Sequence, residues 1–179
     1  MQKMLLISIA FIVCFFIGKK TCLAQSKSLD RFILTWDFFK NDKPKDSPTD
    51  MLVYGGIGLK VRPATNNINT IKIIPTTSIV LNSSKSFVSN DKKYKDTSLI
   101  HHHQGLVDIV AIYATKLKDT LTTITFSPKS IESNLNKIHT IITNQMLAEQ
   151  KRYSIETKNG LDNEQQKKWD LFIRKSLGF

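Results

Sequence analysis

Cysteine is nearly absent from this sequence, and both cysteines, Cys14 and Cys22, fall close to its start. Everything downstream must hold together without a disulfide and work without a thiol. A bilayer-spanning run is missing too. The longest apolar stretch, Met4 to Ile17, is interrupted by Ser8 and is shorter than the ~20 residues that cross a membrane. Lysine is plentiful but never massed: it comes as Lys40, Lys43 and Lys45, as Lys92, Lys93 and Lys95, and as Lys167 and Lys168. No row of aromatics is interleaved with it, as a groove for single-stranded nucleic acid would need, so nucleic acid is not an expected partner. Gly55, Gly56 and Gly58 lack the spacing of a phosphate loop, and no helix pattern follows them. There is no internal repeat and no low-complexity segment.

The first residues read as an export signal. Lys3 precedes the apolar run, and Thr21-Cys22-Leu23-Ala24 supplies small residues for cleavage after Ala24. Neither cysteine follows the small residues that lipoprotein processing requires, since Cys14 follows Ile12-Val13 and Cys22 follows Lys20-Thr21. Residues 1–24 are therefore expected to be a signal peptide and 25–179 one exported domain, periplasmic or extracellular. Its removal takes both cysteines and three lysines, lowering the formal charge from +11 to +8. About 150 residues can hold a core without cross-links, burying roughly 70% of the unfolded surface. No stable membrane span is expected after cleavage.

Strand formers dominate the next third. Phe32 to Trp36 predicts a short strand, and Asn41 to Asp50, with Pro44 and Pro48, a loop. Met51 to Val61 predicts a second strand, its glycines marking a bulge or a close backbone approach. Pro63 to Asn69 reads as a turn. Thr70 to Ile74 and Ser78 to Leu81 read as two strands separated at Pro75, with Phe87-Val88 a last apolar pair. Asn82-Ser83-Ser84 fits a glycosylation sequon, a pattern too short to carry weight.

From Ser98 onward the period changes to that of a helix. Leu99, Leu106, Ile109, Val110, Tyr113, Leu117 and Leu121 make one buried stripe over Ser98 to Leu121, capped by Thr97 or Ser98. Its centre is Leu106. A second helix is predicted from Ser127-Pro128 to Tyr153, with Ile131, Leu135, Ile138, Ile142 and Met146 as its stripe and His139 at its boundary. A third begins at Asp162, with Gln165 in the capping-box position, and turns Trp169, Ile173, Leu177 and Phe172 inward. The expected fold is α+β: N-terminal antiparallel β-strands followed by three helices.

Three consecutive histidines on the first helix invite a metal reading. A zinc-hydrolase helix needs H-E-x-x-H, two histidines one turn apart as ligands and a glutamate to activate water. The frame from His102 reads His102-His103-Gln104-Gly105-Leu106. The glutamate position holds His103 and the second ligand position holds Leu106. His101 meets Gly105 at i+4 and His103 meets Val107, so no other frame restores the motif. Three readings of the triplet stand side by side. His102 and His103 are core-edge remnants with His101 in solvent; or they form a rearranged site with an acid from elsewhere; or the triplet binds divalent metal adventitiously.

The segments together resemble a bacterial family of predicted secreted zinc-dependent proteases, catalogued as a domain of unknown function. Leu34-Thr35-Trp36-Asp37-Phe38-Phe39 is similar to the family's L-T-W-x-D-F, with Phe38 in place of its acid. Ser86-Phe87-Val88 is similar to its S-W-V. Ile100 to Ile109 resembles L-x-H-E-Q-G-H-F-D-I, matching at His102, Gln104, Gly105, Asp108 and Ile109, and the likeness continues over Ala111 to Leu117. Tyr153 to Gly160 resembles Y-D-x-E-T-x-H-G, and Gln166 with Trp169 resembles Q-x-x-W. The resemblance implies a zincin-like fold and a zinc site in the family. Here the departures fall at His103, Leu106 and Asn159, the glutamate, the second helical ligand and a late third ligand. His102 alone matches the expected set, whereas a catalytic zinc takes three protein ligands.

No catalytic residue and no zinc are therefore expected, with His102 and His103 the only remnant metal candidates. The expectation is an exported zincin-like pseudoenzyme, acting as a binding or envelope-associated domain with a peptide or envelope protein as partner. The alternative is a secreted zinc-dependent peptidase with a rearranged metal site. A structural envelope protein with no ligand is the third class, and it differs from the first in whether the cleft beside His102 stays open or is filled by Leu106 and neighbouring apolar side chains.

Overall fold

Alternating apolar and polar residues from Gly55 onward build the largest sheet element, a long antiparallel ribbon. The structure, a computed structural model, describes residues 31–66 and 69–179; the expected signal peptide and its cleavage site lie outside the described residues. In chain order the elements are a 3-10 turn (Trp36–Phe38), β1 (Asn41–Asp42), β2 (Met51–Leu52), β3 (Gly55–Asn66), β4 (Ile71–Leu81), β5 (Phe87–Val88), α1 (Thr97–Thr122), β6 (Thr125–Phe126), α2 (Ile131–Glu156) and α3 (Asn163–Leu177). The fold is mixed α+β, with two small sheets and three helices.

The ribbon pairs β3 with β4, Ile57 opposite Ile79 and Pro63 opposite Ile73, and β6 adds a short third strand through Ile71 and Phe126. The second sheet has the order β1-β5-β2, with β2 antiparallel to β5 and β1 parallel to it. That parallel pair and the late β6 depart from the simple run of antiparallel strands before helices.

Other boundaries differ for physical reasons. Phe32 to Trp36 is not a strand, because the Phe32 carbonyl and the Leu34 N–H bond the side chain of Gln104 rather than a neighbouring strand. Met51 to Val61 is broken at 53–54 into β2 and β3. Pro75 does not divide β4: beyond Lys72 that strand is paired on one side only, where a proline's missing N–H can be turned from the ladder. The turn expected at Pro63 is a register shift inside β3. Asp96, not Thr97 or Ser98, caps α1 by accepting from the Leu99 N–H. Ser127-Pro128 does not open α2, since Phe126 belongs to β6 and a turn carries the chain to Ser130. Asp162 caps α3 through the Gln165 N–H as expected.

α1 is the central element, packed on β3 and β4 and on both other helices. Ile109, Ala114, Leu117 and Leu121 are fully buried and meet Ile57 and Ile73 of the ribbon, Phe126, Leu135, Ile142 and Met146, and Trp169 and Ile173 of α3. Each large side chain taken from water in this way stabilises the fold by about 1.5–3 kcal/mol before entropy is counted. A second cluster, Leu34, Phe39, Met51 and Val88, lies beneath the N-terminal segment. Leu106 is only partly buried, so it is not the centre of the stripe that the spacing suggested, and Phe172, expected to turn inward, is exposed. Among the described residues no helix is long and apolar enough to cross a membrane.

Candidate functional site

The three histidines leave α1 in three directions. His101 is exposed, with Nε2 3.2 Å from Asp170 Oδ2. His103 is partly buried and places Nδ1 3.0 Å from the Leu99 carbonyl, one turn back. Burial lowers its pKa against hydrogen bonds to the Leu99 and Met51 carbonyls. His102 turns into the junction of the three helices and is 2% exposed. Adjacent helical residues point about 100° apart. The His102 and His103 rings accordingly meet edge to face, with centroids 5.5 Å apart.

Besides His103, the groups that surround His102 come from α2, α3 and the turn between them. The ring stacks on Tyr153, with centroids 4.6 Å apart and planes 7° from parallel. Its Nδ1 is 3.3 Å from Thr157 Oγ1. Thr157 has one proton, and its shortest contact, 2.7 Å, is to the Tyr153 carbonyl, which can only accept. The hydroxyl therefore accepts from His102 Nδ1–H, and also from the Gly160 N–H at 3.3 Å. These bonds assign His102 as the neutral Nδ1–H tautomer. Burial first, and His103 second, push its pKa down to about 3.

Tyr153 is held as firmly. Its hydroxyl donates to the His102 carbonyl at 3.0 Å and accepts from Gln166 Nε2 at 2.9 Å, while the same amide donates to Asp170. Burial raises the phenol above its ordinary pKa. Trp169 closes the far side edge to face, its indole N–H bonded to Glu156 at 2.8 Å. Gly105 and Gly160 make the approach possible. A Cβ on Gly105 would lie 2.6 Å from Tyr153 Cζ, and one on Gly160 2.8 Å from His102 Cβ. Gly160 is also left-handed, with φ of 88°.

The remaining site positions do not converge on His102. Leu106 packs partly buried against the main core, and its carbonyl accepts from Gln150. Asn159 is exposed on the turn before α3, held left-handed at φ 58°. Among the described residues no three His, Cys, Asp or Glu side chains are grouped so as to hold a metal ion. The space beside His102 is filled by Tyr153, Thr157, Gly160 and Gln166, not by Leu106. A shallow depression of 220 Å³ lies elsewhere, lined by Asp42, Lys43, Pro44, Lys45, Ser89, Asn90 and Asp91.

Two polar residues on α1 have roles that the helical spacing did not assign. Gln104 takes both the Phe32 carbonyl, at 2.8 Å, and the Leu34 N–H, at 2.6 Å, as a strand neighbour would. Its Nε2 also reaches Asp108 at 2.8 Å. Asp108 is 2% exposed and binds Arg31 in a fork, with contacts of 2.7, 3.1 and 3.2 Å. A carboxylate inside an apolar helix face was the available signal, because a buried acid is nearly always paired. Comparison with known protein families, with curated proteins and with solved structures finds no match to this chain.

Proposed function

We propose that this chain is an exported, non-catalytic domain on a zincin-like plan. It works as a binding or envelope-associated module whose partner is a peptide or an envelope protein. The observation that carries this reading is His102, the one residue matching the expected ligand set. Its Nδ1 is spent on Thr157, its face on Tyr153, and its ring is out of solvent. A catalytic zinc needs three protein donors and an open position for water and substrate. Leu106 offers no donor one turn on, Asn159 is a solvent-facing amide, and His103 stands where the water-activating carboxylate would be. What such a helix keeps is its packing role. The filled space beside His102 favours the envelope-associated form of this reading over one that binds in a cleft there, and a peptide or protein partner would be held on the outer surface.

Metal content and peptide cleavage, measured on one preparation, test the proposal. After dialysis against a mild chelator, well under 0.1 (on the order of background) zinc per chain and no chelator-sensitive cleavage of an unstructured protein substrate are expected, since one imidazole makes a single bond to the metal. One tightly held zinc per chain together with chelator-sensitive cleavage would establish the peptidase instead.

A further inference from the structure

From Met51 to Asn90 the chain contains no Asp and no Glu, yet it carries Lys60, Arg62, Lys72 and Lys85. Lys85 lies over the Tyr54 ring. The other three belong to the β3–β4 ribbon, and the register puts them on one side of it. Ile57 and, on β4, Ile73 and Thr77 turn to the core, whereas Lys60, Arg62, Lys72, Ile74 and Thr76 alternate with the inward positions and are exposed. Lys60 and Arg62 are two residues apart on β3, about 7 Å. Arg62 is opposite Ile74, which makes Lys72 its diagonal neighbour, about 7–8 Å away. None of the three has an ion-pair partner among the described residues.

We propose that this outer ribbon face docks the protein onto a bilayer bearing anionic phospholipid headgroups. Three cations on one sheet face make a patch of one sign that attracts an anionic surface, and this stretch supplies no acid of its own to neutralise it. Ile74, 43% exposed and directly opposite Arg62, adds an apolar side chain among the cations, suited to a headgroup layer with hydrocarbon beneath. Nucleic acid fits less well, because no aromatic residue occurs from Gly55 to Leu81 to stack on bases. Strand addition by a peptide is also disfavoured. The free edge of β3 carries Pro63 and a register shift, two devices that blunt edges against pairing. The inference rests on the ribbon alone and stands whether or not the histidine helix ever held a metal.

The test is vesicle co-sedimentation of the protein in the form the cell produces. Binding is expected to vesicles containing about one-third phosphatidylglycerol and not to pure phosphatidylcholine, and to disappear at high salt. Each cation near an anionic surface is worth about a fivefold change in partition. Lys60→Gln/Arg62→Gln/Lys72→Gln should therefore weaken binding on the order of 100-fold, while Lys60→Arg/Lys72→Arg should retain it. A second triple variant, Lys151→Gln/Lys167→Gln/Lys168→Gln, removes the same charge from exposed positions on α2 and α3 and should change binding by less than about tenfold. Equal losses in both triple variants would assign the effect to net charge and overturn the proposal. So would tighter binding to a single-stranded oligonucleotide than to the anionic vesicles.

Discussion

Gly105 shows how one missing side chain sets the spacing of two helices. Intrinsic preference favours alanine over glycine inside a helix by about 1 kcal/mol. Here the new methyl would run into the Tyr153 phenol, which is 0% exposed and wedged between His102 and Trp169. Overpacking a closed site costs about 1–3 kcal/mol, so the clash should outweigh the helical gain. Gly105→Ala is expected to lower the denaturant midpoint with an unchanged slope; a raised midpoint would mean that Tyr153 is free to move. At this scale the sequence was partly legible. Spacing sent His101 outward and brought His102 to the apolar face, but it made Leu106 the stripe's centre, whereas that side chain is only partly buried. Periodicity measures which face is apolar. It does not see a tyrosine arriving from another helix to cover the neighbouring turn.

At the scale of elements, Gln104 binds the N-terminal segment to α1. Phe32 and Leu34 look like a strand because they are apolar and extended, yet their backbone partners are a side-chain amide. A sequence pattern cannot distinguish those two partners for the same N–H. Gln104→Ala would leave the Leu34 N–H and the Phe32 carbonyl without their bonds and take a partner from Asp108. Unsatisfied buried groups cost about 1–3 kcal/mol each, less where water can enter as the segment lifts. The expected outcome is faster proteolysis between Arg31 and Phe39 with the helices protected. Uniform destabilisation of the whole chain would show instead that segment and core unfold together. Helices were easier to read than strands here: the α2 stripe of Leu135, Ile142 and Met146 is buried as spaced, and Asp162 caps α3. The start of α2 was misplaced because Ser127-Pro128 follows a two-residue strand whose pairing with β4 is set by distant residues.

For the whole molecule, the central claim is that the histidine helix is part of the core, with His102 sealed and neutral. A pH dependence follows. Free histidine titrates near 6.5. The folded His102 value is about 3, depressed by burial. The unfolded chain therefore takes up a proton that the folded chain refuses. Stability is full above about pH 6.5 and falls as pH drops toward 3, by on the order of 1 kcal/mol per pH unit. The most direct measurement is a nitrogen-15 NMR titration of the imidazoles, between neutral pH and about pH 4.5, with and without one equivalent of zinc, while the amide spectrum remains folded. His102 is expected to keep the neutral Nδ1–H pattern throughout and to ignore zinc. A His102 ring that titrates near the free value of about 6.5, or whose Nε2 resonance shifts on zinc addition, would contradict the sealed core and reopen the metal site.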